Sequence, residues 1–178
     1  MECYRVGPQT QHLDHRAMTL DDAQAFFALN SNPQVMQHTG EPMLQSISEA
    51  REALENYPDF DTIGYGRWGS YLKATNTLVG FCGLKYLSDL DCVDVGFRFL
   101  PEYWGRGFAT QACNASIEFG FDTIGLQRII ALVLPDNPAS ARVLEKCGMK
   151  NLGIIEYDEY SPYLYEVTRE GRGEFSAV

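Results

Sequence analysis

The residues best suited to chemistry are a carboxylate and two closely spaced glycines within residues 94–112. Asp94 lies in an apolar run with β-branched and aromatic residues, which is the composition of a buried strand. Pro101 ends that run because proline cannot donate to a ladder. A Gly-Arg-Gly turn at 105–107 follows, and residues 108–121 have the pattern of a helix. Because glycines admit a ligand close to the backbone and a helix start attracts anions, the sequence predicts a main-chain site for a phosphate-bearing ligand.

Two common phosphate-binding motifs do not fit this spacing. A P-loop requires G-x-x-x-x-G-K-[ST], and no Gly-Lys pair follows the glycines. A dinucleotide-binding fingerprint requires G-x-G-x-x-G, and only the first two of its glycines are present, as Gly105 and Gly107. Both types of nucleotide site are therefore excluded.

Two motifs resemble those of the GNAT superfamily of N-acetyltransferases. Residues 101–110, Pro-Glu-Tyr-Trp-Gly-Arg-Gly-Phe-Ala-Thr, look like the acetyl-CoA loop Q/R-x-x-G-x-G/A in the form of the RimJ/RimL-type branch, where Trp104 is usual at the first position. Residues 137–149 are similar to the family's N-x-x-S-x-x-V-L-E-K-x-G-F, with Met149 in place of Phe. The resemblance extends over essentially the whole chain, and it implies acetyl-CoA as co-substrate.

The elements that would position these motifs follow the order β-α-α-β-β-β-α-β-α-β-β. Strands are predicted at 11–18, 64–74, 78–87, 92–100, 127–134, 151–157 and 163–169. A crossover helix between the fourth and fifth strands predicts that these two are parallel. The order resembles the α/β GNAT fold, which implies a mixed, mostly antiparallel sheet of about seven strands with about four helices, splayed between strands 4 and 5. We expect a single domain over residues 1–178, with loose ends at 1–10 and 170–178.

Composition limits the classes of partner and the cell compartment. The 178 residues include 14 basic and 24 acidic side chains, and the net charge of −10 argues against nucleic-acid binding and would suit a cationic acceptor. No apolar run is long enough to span a bilayer and no secretory leader is present, so we expect a cytoplasmic protein. Five cysteines without C-x-x-C spacing indicate neither a metal site nor a disulfide framework. A monomer and a homodimer both remain open.

The resemblance assigns the cofactor to three short segments. The pantetheine amides would pair with the backbone of Phe97, Arg98 and Phe99, as an added strand would. Asn137 would contact the pantetheine arm while also capping the next helix. The pyrophosphate would take N–H groups from the turn and the first helical residues: Gly105, Arg106, Gly107, Phe108, Ala109 and Thr110. The Arg106 side chain would add charge at the phosphates, or is simply an exposed arginine at a helix start.

The resemblance also suggests a base and an acid. Asp94 occupies the place of the family's strand-four acidic residue and would act as base directly or through water, although it could be an ordinary solvent-facing residue. The rival carboxylates, on the last hairpin, are Glu156, Asp158 and Glu159. Many family members carry a tyrosine acid where this chain has Glu145, so the serine of N-x-x-S, Ser140, is the candidate proton donor. Alternatively, Ser140 is a first-turn serine that bonds only to backbone.

The function implied is transfer of the acetyl group of acetyl-CoA to a primary amine by direct attack in a ternary complex. The amine would be a protein N-terminal α-amine or a small-molecule amine. The alternative is a module of the same fold that binds or senses acetyl-CoA with little turnover. The acceptor would be chosen by the loops at 32–42, 57–61 and 157–163, whose sequence carries no readable code.

Overall fold

The computed structural model describes residues 2–173, which form a central sheet with helices on both faces. The strands are β1 (Leu13–Arg16), β2 (Arg67–Leu72), β3 (Leu78–Leu87), β4 (Cys92–Phe99), β5 (Arg128–Val133), β6 (Lys150–Ile154) and β7 (Tyr163–Thr168). The helices are α1 (Ala23–Asn30), α2 (Pro33–Met36), α3 (Ile47–Glu55), α4 (Asp59–Thr62), α5 (Phe108–Phe119), α6 (Pro138–Lys146) and α7 (Arg169–Gly173). The four longer helices, α1, α3, α5 and α6, are those expected from the sequence; α2, α4 and α7 are additions of one turn.

The seven strands form one sheet in the order β1-β2-β3-β4-β5-β7-β6. All neighbours are antiparallel except β4 and β5, which are parallel and joined through α5. The predicted mixed, mostly antiparallel sheet of seven strands, with strands 4 and 5 parallel, is confirmed. β1 is shorter than predicted at both ends: residues 11 and 12 form a bend, and the chain leaves the sheet after Arg16. It then enters a single 3₁₀ turn at Leu20–Asp22, where the Thr19 N–H donates to the Asp22 carboxylate at 2.8 Å.

The two faces of the sheet carry different residues of β4. Val93 and Val95 belong to the main apolar cluster, which also contains Ile117 on α5. Alternate residues of a strand point to opposite faces, so Asp94 and Arg98 face the other side, where Arg98 donates to Asn30 of α1 at 2.8 Å. β4 therefore separates an apolar layer under α5 from a polar layer under α1 and α2.

Residues 2–10 are bonded to the sheet rather than loose, which corrects the sequence expectation. The Tyr4 N–H donates to the carbonyl of Gly64 at 2.6 Å, and Trp68 donates its indole N–H to the carbonyl of Tyr4 at 2.7 Å. Gly7 lies against the fully buried Trp68 ring, where a Cβ would come within 2.7 Å of the indole. Residues 2–10 make these contacts through backbone atoms and a glycine. Such contacts produce no hydrophobic pattern, so the sequence did not predict an ordered segment here.

The other expected loose end begins as α7, which docks on α5. The Arg172 guanidinium donates to Asn114 at 2.7 Å and to Glu118 at 2.9 Å. Residues 174–178 lie outside the described part of the chain. Within residues 2–173 no helix has the length and apolar character needed to cross a membrane.

We expect Ile117→Ala to destabilise the protein by about 2–5 kcal/mol, because it removes buried methyl groups and leaves a cavity between α5 and the sheet. Ile117 has no solvent-exposed surface, whereas Ile154 on β6 is 57% exposed. Ile154→Ala makes the same chemical change and should cost well under 1 kcal/mol. Urea unfolding of both variants measures the difference, and equal losses would contradict the placement of Ile117 in the core.

Candidate active site

The central feature of the site is the point at which β4 and β5 separate. The two strands pair only at Val93–Ile129 and Asp94–Ile130. β4 then continues along β3 as far as Phe99, and β5 continues along β7 as far as Val133. The edge of β4 that faces β5 is therefore open after Asp94. A cleft of about 1100 Å³ occupies the gap and is lined by residues of both strands.

The glycine turn lies at the open end of this cleft. Gly105 and Gly107 have φ angles of 72° and 78°, which L side chains rarely adopt, and no heavy atom lies within 4 Å of a Cβ placed at Gly105. Gly107 is the N-cap of α5, and no side chain caps this helix. The first N–H groups of α5 are consequently left for a ligand, and the helix dipole favours an anion there. The turn therefore has the backbone geometry on which the predicted anion site depends.

Aromatic side chains fix the turn to the strand before it. The indole N–H of Trp104 donates to the carbonyl of Phe99 at 2.7 Å, and the rings of Tyr103 and Phe108 stack at 6.4 Å. The exposed Arg106 guanidinium lies over the Tyr103 ring at 5.5 Å and does not line the cleft. The cofactor residues predicted from the sequence that do line it are Phe97, Arg98, Phe99, Gly105, Gly107, Phe108, Ala109, Thr110 and Asn137.

Asn137 and Ser140 lie on the opposite wall, at the start of α6. The side-chain oxygen Oδ1 of Asn137 accepts a hydrogen bond from the Ser140 backbone N–H at 3.2 Å, which makes Asn137 the N-cap of the helix. The amide nitrogen of Asn137 then donates to the Ser140 hydroxyl oxygen at 3.0 Å. Because that oxygen already accepts a hydrogen bond, the hydroxyl proton of Ser140 is free to be donated to another group.

Asp94 lies at the closed end of the cleft, and only 8% of its surface is exposed. Its carboxylate forms a short ion pair with the guanidinium of Arg67 on β2, and the same guanidinium donates to the Asp94 carbonyl at 3.1 Å. Burial raises the pKa of Asp94, while Arg67 and the backbone amide of Leu132 act in the opposite direction. Burial is the larger influence, so the pKa of Asp94 lies above its usual value and the carboxylate is a better proton acceptor than an exposed aspartate.

Glycines make room for this ion pair. Arg67, Gly83 and Gly96 are opposite one another on β2, β3 and β4, so the arginine side chain crosses β3 without meeting a side chain. A Cβ on Gly96 would lie 2.6 Å from the guanidinium nitrogen. Sequence reasoning missed Arg67, because its partner is 27 residues away and depends on the register of three strands. The spacing of Gly83 and Gly96 in two strand-like runs was the available signal.

The wall opposite β4 is formed by the segment from α1 to α4. Arg98 donates to Asn30 at 2.8 Å and to Glu41 at 2.7 Å. His38 lies 3.3 Å from Asp136, which precedes α6, and the Tyr160 hydroxyl donates to the Gly40 carbonyl at 3.0 Å. We call residues 38–41 the strap, because they connect β4, the start of α6 and the last hairpin across the cleft mouth.

The other residues considered from the sequence fall into two groups. Tyr57 lines the cleft, but its hydroxyl is used by Asp59 and by the Arg67 N–H, both at 2.8 Å, and burial raises its pKa. The three rival carboxylates on the last hairpin are exposed and do not line the cleft: Glu156, Asp158 and Glu159. Among residues 2–173, no cluster of three or more histidines, cysteines or carboxylates is arranged to hold a metal ion.

Comparison with known proteins places this geometry in a family. The model of the acetyltransferase (GNAT) domain matches residues 12–150. The uncharacterized N-acetyltransferase YoaA of Bacillus subtilis is 32% identical over 160 residues, covering 87% of this chain and 90% of YoaA. A GNAT-family acetyltransferase from Bacillus anthracis has a crystal structure that superposes with a TM-score of 0.79 at 26% identity, covering 92% of this chain and 98% of that one. Spermidine N-acetyltransferase from Vibrio cholerae, solved with CoA and spermine, has a TM-score of 0.74 at 22% identity, with coverages of 91% and 98%.

We expect Arg67→Met to destabilise the protein by about 3–5 kcal/mol at pH 7, because it leaves the Asp94 carboxylate buried without a counter-charge. The double variant Arg67→Met/Asp94→Asn should recover much of this loss, since the unpaired charge is gone. Urea unfolding of the two variants measures the recovery. If the double variant were no more stable than the single one, the buried charge would not be the source of the loss.

The pH dependence of the same variant gives a second readout. Without Arg67 the folded-state pKa of Asp94 rises further above its unfolded value, so the folded protein binds that proton more tightly than the unfolded chain does. Stability then falls as the pH rises from the unfolded pKa through the folded one. The deficit of Arg67→Met relative to the parent should therefore shrink as the pH is lowered towards about 4.

Proposed function

The chain belongs to the GNAT family of acetyltransferases, and from this premise we propose that it transfers the acetyl group of acetyl-CoA to a primary amine by direct attack in a ternary complex. The observation that carries the proposal is the unpaired edge of β4, which ends at the uncapped start of α5. A ligand with amides along its length and a pyrophosphate at one end matches that sequence of main-chain groups. Acetyl-CoA has both.

The proposal gives each part of the cofactor a set of partners. The pantetheine amides pair with the open backbone of Phe97, Arg98 and Phe99, and Asn137 meets the arm from α6. The pyrophosphate takes the N–H groups of the turn, from Gly105 through Thr110. The Arg106 backbone takes part in this turn, whereas its side chain points along Tyr103. The string at residues 101–110 supports assignment to the RimJ/RimL-type branch, with residues 1–178 as one catalytic domain.

Ser140 is the proposed proton donor to the departing CoA thiolate. The hydrogen bond from Asn137 occupies a lone pair of the hydroxyl oxygen and orients its proton away from the amide. The oxyanion that forms on the acetyl carbon during attack would be stabilised by free N–H groups of β4. Asn137 therefore supports both the cofactor and the acid.

Asp94 is the proposed acceptor of the amine proton, through a water molecule. Burial raises its pKa and the ion pair with Arg67 opposes that rise. A carboxylate nevertheless remains a weaker base than an amine, so the reaction favours an acceptor that is readily neutral. At pH 7 an α-amine with a pKa near 7.8 is neutral in about one molecule in seven, against about one in 2,500 for a lysine amine near 10.4. The geometry therefore supports an α-amine better than a lysine side chain.

The direct test is acceptor-dependent release of free CoA thiol from acetyl-CoA, measured with a panel of amino acids, peptides with free N-termini and diamines. We expect release with at least one α-amine and none without acceptor. Calorimetric titration with acetyl-CoA is run in parallel. Binding of acetyl-CoA without release on any amine would contradict the proposal and favour a cofactor-sensing module of the same fold.

We expect Ser140→Ala to lower kcat by about a hundredfold or more, because a positioned acid contributes about 10²- to 10⁴-fold. Its acetyl-CoA affinity should be unchanged, since the Asn137 cap to the Ser140 backbone N–H does not need the hydroxyl. Ser88→Ala, in the turn between β3 and β4, is the matched control: Ser88 is exposed, does not line the cleft, and its loss should leave the enzyme as the parent. A Ser140→Ala enzyme with the parental kcat would eliminate Ser140 as the acid.

A further inference from the structure

The charges that line the cleft are opposite in sign to the charge of the whole chain. The net charge of the chain is −10, yet the lining formed by the described residues contains only two acidic side chains, Glu41 and Asp94. The same lining contains six basic side chains: Arg5, Arg67, Lys85, Arg98, Arg142 and Lys146. The acidity of the chain is therefore a property of its outer surface and says little about the acceptor.

Neither acid in the lining is available to bind a further cation. Asp94 is paired with Arg67, and Glu41 is paired with Arg98 at 2.7 Å. Among the described residues that line the cleft, no carboxylate remains unpaired. A polyamine must place a second ammonium group somewhere in the site, and such a group would meet guanidinium ions here. The cleft is poorly suited to a polycation.

Lys85 is the basic residue at the acceptor end that remains uncommitted. It lies directly opposite Asp94 in the β3–β4 pairing, so the two side chains are on the same face of the sheet with Cβ atoms about 4.5–5.5 Å apart. Within residues 2–173 its ammonium group forms no ion pair. By contrast, Arg5 is paired with Asp61, and Arg142 and Lys146 lie on α6, on the proposed cofactor wall.

We infer that the acceptor is a primary amine with a carboxylate a few bonds from its nitrogen, and that Lys85 binds this carboxylate. The inference rests on the proposed acetyl transfer and names its substrate class. An amine delivered to the proton acceptor Asp94 brings a neighbouring carboxylate within reach of the lysine on the next strand. The same chemistry exists in free amino acids and in peptides whose first residue is acidic.

The reaction on such an acceptor is balanced without another reagent. The amine nitrogen forms a C–N bond to the acetyl carbon, and the C–S bond of acetyl-CoA breaks. The nitrogen loses one proton towards Asp94 and the sulfur gains one from Ser140; proton exchange with water then restores the carboxylate and the hydroxyl, so no net proton is taken up or released. The carboxylate of the acceptor is unchanged and serves only for recognition, so its removal tests binding without altering the chemistry.

The test compares kcat/KM for acceptors that differ only in charge. Aspartate and glutamate are measured against the diamides in which both of their carboxylates are carboxamides, a peptide with N-terminal Asp is measured against the same peptide with N-terminal Asn, and spermidine serves as the polycation. We expect the carboxylate form to be preferred in at least one series. In Lys85→Met this preference should fall about ten- to hundredfold, mainly through KM, as expected for loss of a charge-assisted hydrogen bond.

Two further variants distinguish the contact from a general effect of charge. Lys85→Arg keeps the cation and should retain the preference for the carboxylate form. Lys150→Met removes an exposed lysine on β6 that does not line the cleft, and should leave the preference as in the parent.

The outcomes separate this inference from the proposed function. A preference confined to free amino acids or confined to the acidic peptide supports the inference and identifies the source of the carboxylate. Faster turnover of spermidine or of the carboxamides would overturn the inference while leaving acetyl transfer intact. A preference that survives Lys85→Met would equally overturn the assignment of Lys85. Absence of thiol release with every amine would instead contradict the proposed function.

Discussion

The parting of β4 and β5 after two residue pairs is the constraint on which the site depends. Backbone N–H and C=O groups inside a protein need partners, and a central strand normally finds them on both sides. β4 pairs with β3 along its whole length, whereas its pairing with β5 ends at Asp94. The open edge leads to the start of α5, where further N–H groups lack caps. A ligand that satisfied main chain over this length would complete the sheet, and the proposed cofactor site is built on these backbone groups.

The ion pair of Arg67 and Asp94 fixes the closed end of the same cleft. It places a neutralised carboxylate next to the last β4–β5 pair and holds the guanidinium against Gly96. A buried pair of this kind contributes little net stability compared with apolar packing, so its effect is better sought in the electrostatics of the cleft. The ion pair with Arg67 neutralises the Asp94 carboxylate, one of the two acids in the lining. Arg98 neutralises the other, Glu41, in the same way. The field inside the cleft is therefore set by the basic residues, although the surface outside is acidic.

The parts of the structure that could be predicted from the sequence are those with local causes. The turn at Gly105 and Gly107 requires positive φ angles, and Asn137 before Pro138 is a helix start that needs no tertiary contact to be recognised. The order of elements followed from periodicity, and the parallel pair followed from the crossover helix. Arg67 could not be placed, because its role depends on the register of β2, β3 and β4. The direction of the Arg106 side chain was equally inaccessible, since the nearby ring of Tyr103 offered it a partner that spacing alone does not reveal.

The alternation of side chains along β4 has a consequence for the order of events in a catalytic cycle. Phe97 and Phe99 face the α5 layer, whereas Asp94 and Arg98 face α1 and the strap. The gap between β4 and β5 is thus a slit through the sheet, with one mouth at the glycine turn and the other beneath residues 38–41. Two ligands that meet in such a slit can enter and leave through different mouths, so that neither ligand obstructs the release of the other. The geometry of the slit therefore imposes no order on the binding of two ligands, and the contacts of the strap lie over only one of its two mouths.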